Sequence, residues 1–237
     1  MFRATIYIET NADGTIFYSL NRGGKHFICT NIPEIAKQRK IFPFYVMVAN
    51  TPRAVIRTAP LPHKRGKLTA QEKWALVKSV FPLGTALNES THVFDGCVCG
   101  ESFYMTALPL EIAEEITQAG AALLGAQHRI HRLETIEGLL FKRFCAQPST
   151  GVRYIIFPQD TGLRTLVIAD GAPHSVFTIP TIEELREDAL MRAVQNKTPE
   201  EIILLAREDW VDDWDENLSW VSAFFEEKSI TVTGAKF

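Results

Sequence analysis

Asp160, Thr161, Gly162 and Thr165 make an Asp-x-Gly-x-x-Thr pattern, a spacing that sets a carboxylate, two hydroxyls and glycine amides around one turn. Such a set can hold a phosphate through amides and hydroxyls, with the carboxylate reaching an associated metal ion. The same residues also make an ordinary hairpin turn, in which Asp and Gly serve geometry alone. His92, Cys97 and Cys99, with Cys145 further along, are soft-metal ligand types, but C-x-C is not the C-x-x-C knuckle of zinc ribbons. Buried cysteines behave as small hydrophobes, so no metal site is expected from them. His128 and His131 flank Arg129 and Arg132 in a short basic strip, which reads first as a solvated edge. Trp210 and Trp214 lie four residues apart among acids, either an aromatic partner groove or, preferred here, an amphipathic core helix. No G-x-S-x-G, H-E-x-x-H or Walker loop occurs, so catalysis has no evident centre.

The elements that would position these groups are those of an ordinary globular chain. Its 237 residues are 46% hydrophobic and 22% charged, enough for one large domain or two small ones. A net charge of -3 with scattered Lys and Arg argues against nucleic acid. No apolar run approaches the roughly 20 residues of a membrane helix. Four cysteines are too sparse for a disulfide framework, which fits a reducing, cytoplasmic compartment.

Residues 4–9 and 15–20 read as a hairpin around Asp13-Gly14, and residues 26–29 as a third strand. Residues 44–49 form an apolar run suited to a strand buried on both faces, with another strand at 54–58. Thr69 and Glu72 form a capping box ahead of Trp74, Val77 and Phe81 on one helical face. A hairpin through Gly100 precedes a helix striped by Ile112, Ile116, Ala119 and Leu123. A short strand is expected over 127–133, then a helix from Thr135 carrying Ile136, Leu140 and Phe144. Pro148 to Gly151 is the clearest linker. Residues 154–180 then alternate β-branched and aromatic residues between turns at 160–162 and 170–171, three strands in all. Capping boxes at Thr181–Glu184 and Thr198–Glu201 predict helices, the second a long one carrying Ile203, Trp210, Trp214, Leu218, Val221 and Phe225. Residues 229–233 form a last strand entering Gly234.

Hairpin strands, a helical insert, a second set of hairpin strands and a final strand make a duplicated plan. It resembles the actin, Hsp70 and sugar-kinase fold, and more narrowly the PilM-like and GspL-like proteins of type IV pilus and type II secretion assembly. The local likeness runs through Val46–Asn50, Arg57–Pro62, Leu68–Glu72, Phe81-Pro82, Phe103–Pro109, the helix ending at Leu124-Gly125, the hairpins of 154–180 and Ile230–Gly234. The resemblance implies an α/β, actin-like (ribonuclease H-like, duplicated) fold with two subdomains of mixed sheets flanked by helices. Residues 1–147 would form the first, with an inserted subdomain at about 44–126, and residues 152–237 the second.

In nucleotide-binding relatives the resemblance implies an Asp and a nearby Gly after the first strand. Here the stretch from Ile8 to Thr15 offers no glycine at that point, although Glu9 or Asp13 stands near it, and the adenosine loop is reduced to Gly234-Ala235. Asp13, Gly14, Asp160, Thr161, Gly162, Thr165 and Gly234 are therefore the candidate nucleotide-site residues, in a site expected to be eroded. The implied function is a non-catalytic cytoplasmic scaffold without cofactor, at the inner face of the membrane. Its partners would be a bitopic inner-membrane protein and a motor ATPase. Residues 44–49 and 110–125 are the candidate peptide groove, and a longer native chain reaching the membrane is expected beyond Gly234. The alternative is a phosphotransferase or ATPase using ATP and magnesium around Asp160 with Asp13 or Glu9.

Overall fold

A computed structural model describes residues 3–10, 15–22, 25–37, 44–61, 68–80, 87–99, 102–124, 132–146, 150–159, 161–181, 184, 199–206 and 231–236. The chain divides into two compact units. One holds Met1–Ile56, Lys67–Cys97 and Met105–Leu140, and the other holds Arg57–Gly66, Val98–Tyr104 and Phe141–Phe237.

In the first unit, strands β1 (Arg3–Thr10), β2 (Ile16–Arg22), β3 (Lys25–Cys29), β4 (Phe44–Asn50) and β8 (Arg132–Thr135) form a sheet ordered β3-β2-β1-β4-β8. β1 pairs antiparallel with β2, and β2 with β3, whereas β1, β4 and β8 run parallel. Period-2 geometry places paired residues on a common face. The row Cys29, Tyr18, Ile8, Ala49 and Thr135 is buried from one edge to the other. Helix α3 (Leu110–Leu124) buries Ile112, Ile116 and Ala119, the stripe expected from spacing, and Tyr18 Oη donates to the Glu115 carboxylate on the same helix. The short helix α1 (Ile32–Lys37) packs against α3. Asn31 caps it, its Oδ1 accepting from Glu34 N at 3.0 Å, while Glu34 accepts from Thr30 N at 2.9 Å.

Helix α2 (Ala70–Val80) begins with the predicted capping box: Glu72 N donates to Thr69 Oγ1 at 3.2 Å and Thr69 N to Glu72 Oε2 at 2.8 Å. Val77 is buried, whereas Trp74 is exposed and meets the Phe94 ring edge-on. A third sheet is ordered β5-β7-β6, from β5 (Val55–Pro60), β6 (His92–Cys99) and β7 (Ser102–Pro109). Helix α4 (Ile136–Cys145) follows β8 and buries Ile136, Leu140 and Phe144, the face that sequence spacing assigned to it. The strand before it is Arg132–Thr135, at the end of the predicted stretch.

The second unit repeats the sheet of the first. Strands β9 (Val152–Gln159), β10 (Gly162–Ala169), β11 (Ala172–Ile179), β12 (Glu201–Ala206) and β13 (Thr231–Lys236) are ordered β11-β10-β9-β12-β13. β9, β10 and β11 are antiparallel, while β9, β12 and β13 are parallel. The three hairpin strands expected over 154–180 are present. Tyr154, Ile155, Ile156 and Phe157 are all fully buried, as a strand covered on both faces requires. Asp170 and Gly171 both have positive φ, 50° and 74°, the combination a two-residue hairpin loop needs to match strand twist.

The helix expected from Thr198 to Glu201 is absent where it should begin, because Glu201–Ala206 is strand β12. Ile202, Ile203, Leu204 and Leu205 are an unbroken apolar run buried between β9 and β13, and that burial outweighs a capping signal. The box's two glutamates serve the sheet instead: Glu200 N donates to Val152 O at 2.7 Å and Glu201 ion-pairs with Arg153. Trp210, Trp214, Leu218, Val221 and Phe225 lie outside the described residues.

Candidate functional site

Parallel strands all end at the same edge of their sheet, and open α/β sheets use that carboxyl edge to bind ligands. In the first unit this edge carries the ends of β1, β4 and β8. It gathers Thr10, Asn50, Thr51, Thr135 and Glu137, all of them buried. Register explains the gathering: Glu9 lies opposite Asn50 and Ala49 opposite Thr135, so the next residue of each strand falls on the rim. Thr10 Oγ1 donates to Thr51 Oγ1 at 2.6 Å. Thr51 also receives Arg53 N at 3.2 Å, and its carbonyl receives Ala54 N at 3.2 Å, closing a tight turn after β4. Thr135 caps α4, accepting from Gly138 N at 3.2 Å, and Glu137 sits fully buried in that helix's first turn.

The rim can supply hydroxyls, an amide and a carboxylate. None of these five residues stands among the candidates read from sequence. The available signal was their position, polar residues directly after buried strand ends in Ala49-Asn50-Thr51 and at the β8 to α4 junction.

The second unit has the corresponding edge at the ends of β9, β12 and β13, where the buried Gln159 terminates β9. The turn from β9 to β10 leaves from this edge. Thr161 is exposed on it and Gly162 opens β10 with φ +131°. A Cβ on Gly162 would lie 2.5 Å from the Ile179 carbonyl oxygen and 2.9 Å from Pro180 Cα, so the glycine is required by the close approach of β11. Thr165 is fully buried in mid-strand, opposite Phe177 and Ile156, and its hydroxyl has no hydrogen-bond partner among the described residues. Gly234 lies within β13 opposite Leu204, and the strand continues past it to Lys236.

Thr165 and Gly234 share one row across the sheet, separated by β9 and β12, hence roughly 14 Å apart at about 4.8 Å per strand step. The structure thus keeps Thr161 and Gly162 together on the turn and sets Thr165 and Gly234 apart from them. Asp13, Gly14 and Asp160 lie outside the described residues, as do His128 and His131. No cluster of three or more metal-ligating side chains occurs among the described residues. His92 is partly buried on β6 beside Phe94, and desolvation followed by the nearby Arg53 charge holds its imidazole below the usual range.

No protein-family model and no curated protein matches this chain. Solved structures do. A chain of a PilM–PilN type IV pilus biogenesis complex superposes with a TM-score of 0.61 at 12% identity, covering 98% of this chain and 88% of that one. A Bacteroides thetaiotaomicron protein with an actin-like ATPase fold gives 0.58 at 10% identity, covering 98% and 90%. The cytoplasmic domain of EpsL, an inner-membrane component of the Vibrio cholerae type II secretion system, gives 0.54 at 10% identity, covering 86% and 82%. With the same five-strand order in both units, these likenesses establish an actin-like fold, as the resemblance in the sequence implied.

Proposed function

We propose that this chain is a non-catalytic scaffold of a type IV pilus or type II secretion-like assembly, acting at the inner face of the cytoplasmic membrane and docking an inner-membrane partner. The observation that carries the reading is the extent of the likeness to the PilM–PilN complex chain, which takes in nearly the whole of this chain, the β5-β7-β6 sheet inserted between β4 and β8 included. One superfold hosts many activities, so the reading needs support from the site as well. One feature of the second unit favours a scaffold over a phosphate-handling enzyme: Thr165, a candidate phosphate-binding residue, is enclosed in its own core.

The partner test is calorimetric titration of the purified protein with the cytoplasmic segment of a bitopic inner-membrane protein encoded beside it. Saturable binding supports the scaffold, and no binding by any such segment overturns it. Thermal denaturation with millimolar ATP and magnesium tests the absence of a cofactor. A scaffold shifts by less than about 1 °C, whereas a site filled at 100 times its Kd would add about 2.7 kcal/mol, roughly 5–10 °C. A shift of that size would favour a phosphotransferase or ATPase.

A further inference from the structure

Cys99 ends β6 and Cys145 ends α4, 46 positions apart, and both belong to the second unit. Their thiols are hydrogen-bonded to each other. The packing that brings them together is specific. Tyr104 of β7 lies 5.7 Å from the Phe141 ring of α4, and Lys142 of α4 stands 6.0 Å over the same tyrosine. Cys99 is buried, whereas Cys145 is partly exposed, so only the second is open to a small reagent from solvent.

A cation stands beside them. Arg153, at the start of β9, pairs through Nε with Glu201, while its Nη1 is buried with no hydrogen-bond partner among the described residues. Donation from the Cys99 thiol holds the Cys145 thiol below its usual range; burial opposes it, and the Arg153 charge adds a lesser lowering effect. The carboxyl end of a helix disfavours an anion, so the thiolate at Cys145 depends on those two neighbours.

We propose that Cys145 and Cys99 form a peroxide-oxidisable thiol pair, with Cys145 the attacking thiolate, Cys99 the resolving thiol and Arg153 a positioning residue that stabilises the thiolate. The Cys145 thiolate attacks one peroxide oxygen, the O–O bond breaks, and hydroxide leaves, giving a sulfenic acid at Cys145. Cys99 sulfur then attacks the Cys145 sulfur, its proton passes to the departing oxygen, and water leaves with formation of the S–S bond. Hydrogen peroxide is reduced to water and the two thiols supply the electron pair. The bond would join the β6 to β7 turn to the end of α4, and a small dithiol would reverse it. In a reducing compartment such a disulfide is transient, as redox-responsive pairs are.

The test is peroxide treatment of the intact reduced protein, followed by non-reducing proteolysis and mass spectrometry. The expected product is lighter by two hydrogen atoms and yields one cross-linked peptide containing Cys99 and Cys145, which dithiothreitol resolves. Cys99→Ser should leave Cys145 as a sulfenic acid that a dimedone-type probe captures, and Cys145→Ser should abolish both products, while Cys29→Ser and Cys97→Ser should retain the cross-link. Arg153→Met should slow cross-linking measurably at neutral pH, by less than the loss of Cys99 does, and recover the lost rate as pH rises. Circular dichroism checks that each variant folds. Cross-linking of Cys145 to Cys97, oxidation of Cys145 to sulfinic acid with Cys99 present, or no reaction at Cys145 would each overturn the proposal. So would an Arg153→Met rate that is unchanged or equally low at all pH values.

Discussion

Replacing Gly162 with alanine separates the structural use of the Asp-x-Gly turn from a ligand-binding use. At φ +131° a side chain is strained, and left-handed backbone costs a non-glycine residue about 1–2 kcal/mol. The added Cβ would also lie 2.5 Å from the Ile179 oxygen, where carbon–oxygen contacts settle near 3.3–3.6 Å, so the end of β11 has to retreat by about 1 Å. Both clashing neighbours are backbone, and overpacking of that kind costs about 1–3 kcal/mol. The sum is about 2–5 kcal/mol, or roughly 4–20 °C in Tm for a chain of this size.

Gly151→Ala is the matched control. It too has positive φ, +86°, but the nearest atoms to its Cβ belong to the Glu200 carboxylate, a flexible end that can swing away. Its cost should stay near the backbone strain of about 1–2 kcal/mol. Thermal and urea denaturation followed by circular dichroism measure both. The reasoning fails if Gly162→Ala is no more destabilising than Gly151→Ala, or lies within about 0.5 kcal/mol of the parent. A glycine kept only to let a ligand approach the backbone would give that result.

Thr69→Ala removes the hydroxyl that accepts from Glu72 N and should cost about 1 kcal/mol, read as faster amide exchange in the first turn of α2 and a slightly lower Tm. Burial first, and then its bond to Glu115, raise the Tyr18 phenol well above a tyrosine's ordinary value near 10. The folded state therefore keeps a proton that the unfolded chain releases above about pH 10, so this contribution is whole below that pH and is lost as pH climbs beyond it. Tyr18→Phe should cost about 1–2 kcal/mol at neutral pH and give a shallower loss of stability between roughly pH 9 and 11. An unchanged alkaline slope in urea titrations would show that Tyr18 does not carry the effect.

Much of the scaffold was legible in local pattern. The hairpin at residues 162–179 follows from alternation and from Asp170-Gly171, since only a few residue types accept two successive positive φ values. The α3 stripe follows from the period of 3.6. The short helix α1 escaped because six residues hold too little periodicity, although Asn31 and Glu34 carry its capping signal. β12 escaped for the opposite reason: Thr198 and Glu201 gave a clear helix-start signal, and burial between two strands outweighed it. At the candidate site, the turn at Gly162 was legible, whereas the polar rim of Thr10, Asn50, Thr51 and Glu137 was not. Its members are spread from position 10 to 137 and meet only through strand register.

The Asp160-Thr161-Gly162 turn marks the division. From sequence alone came the turn itself, the strands on either side and the duplicated order that points to an actin-like fold, because these depend on backbone preferences and on the alternation of neighbouring side chains. Tertiary structure decided what the turn's residues do. It packed the Ile179 carbonyl against Gly162, enclosed Thr165 and set Gly234 three strands away from β10. Close approach and burial are properties of residues brought together across the sheet, and no window of the chain contains them.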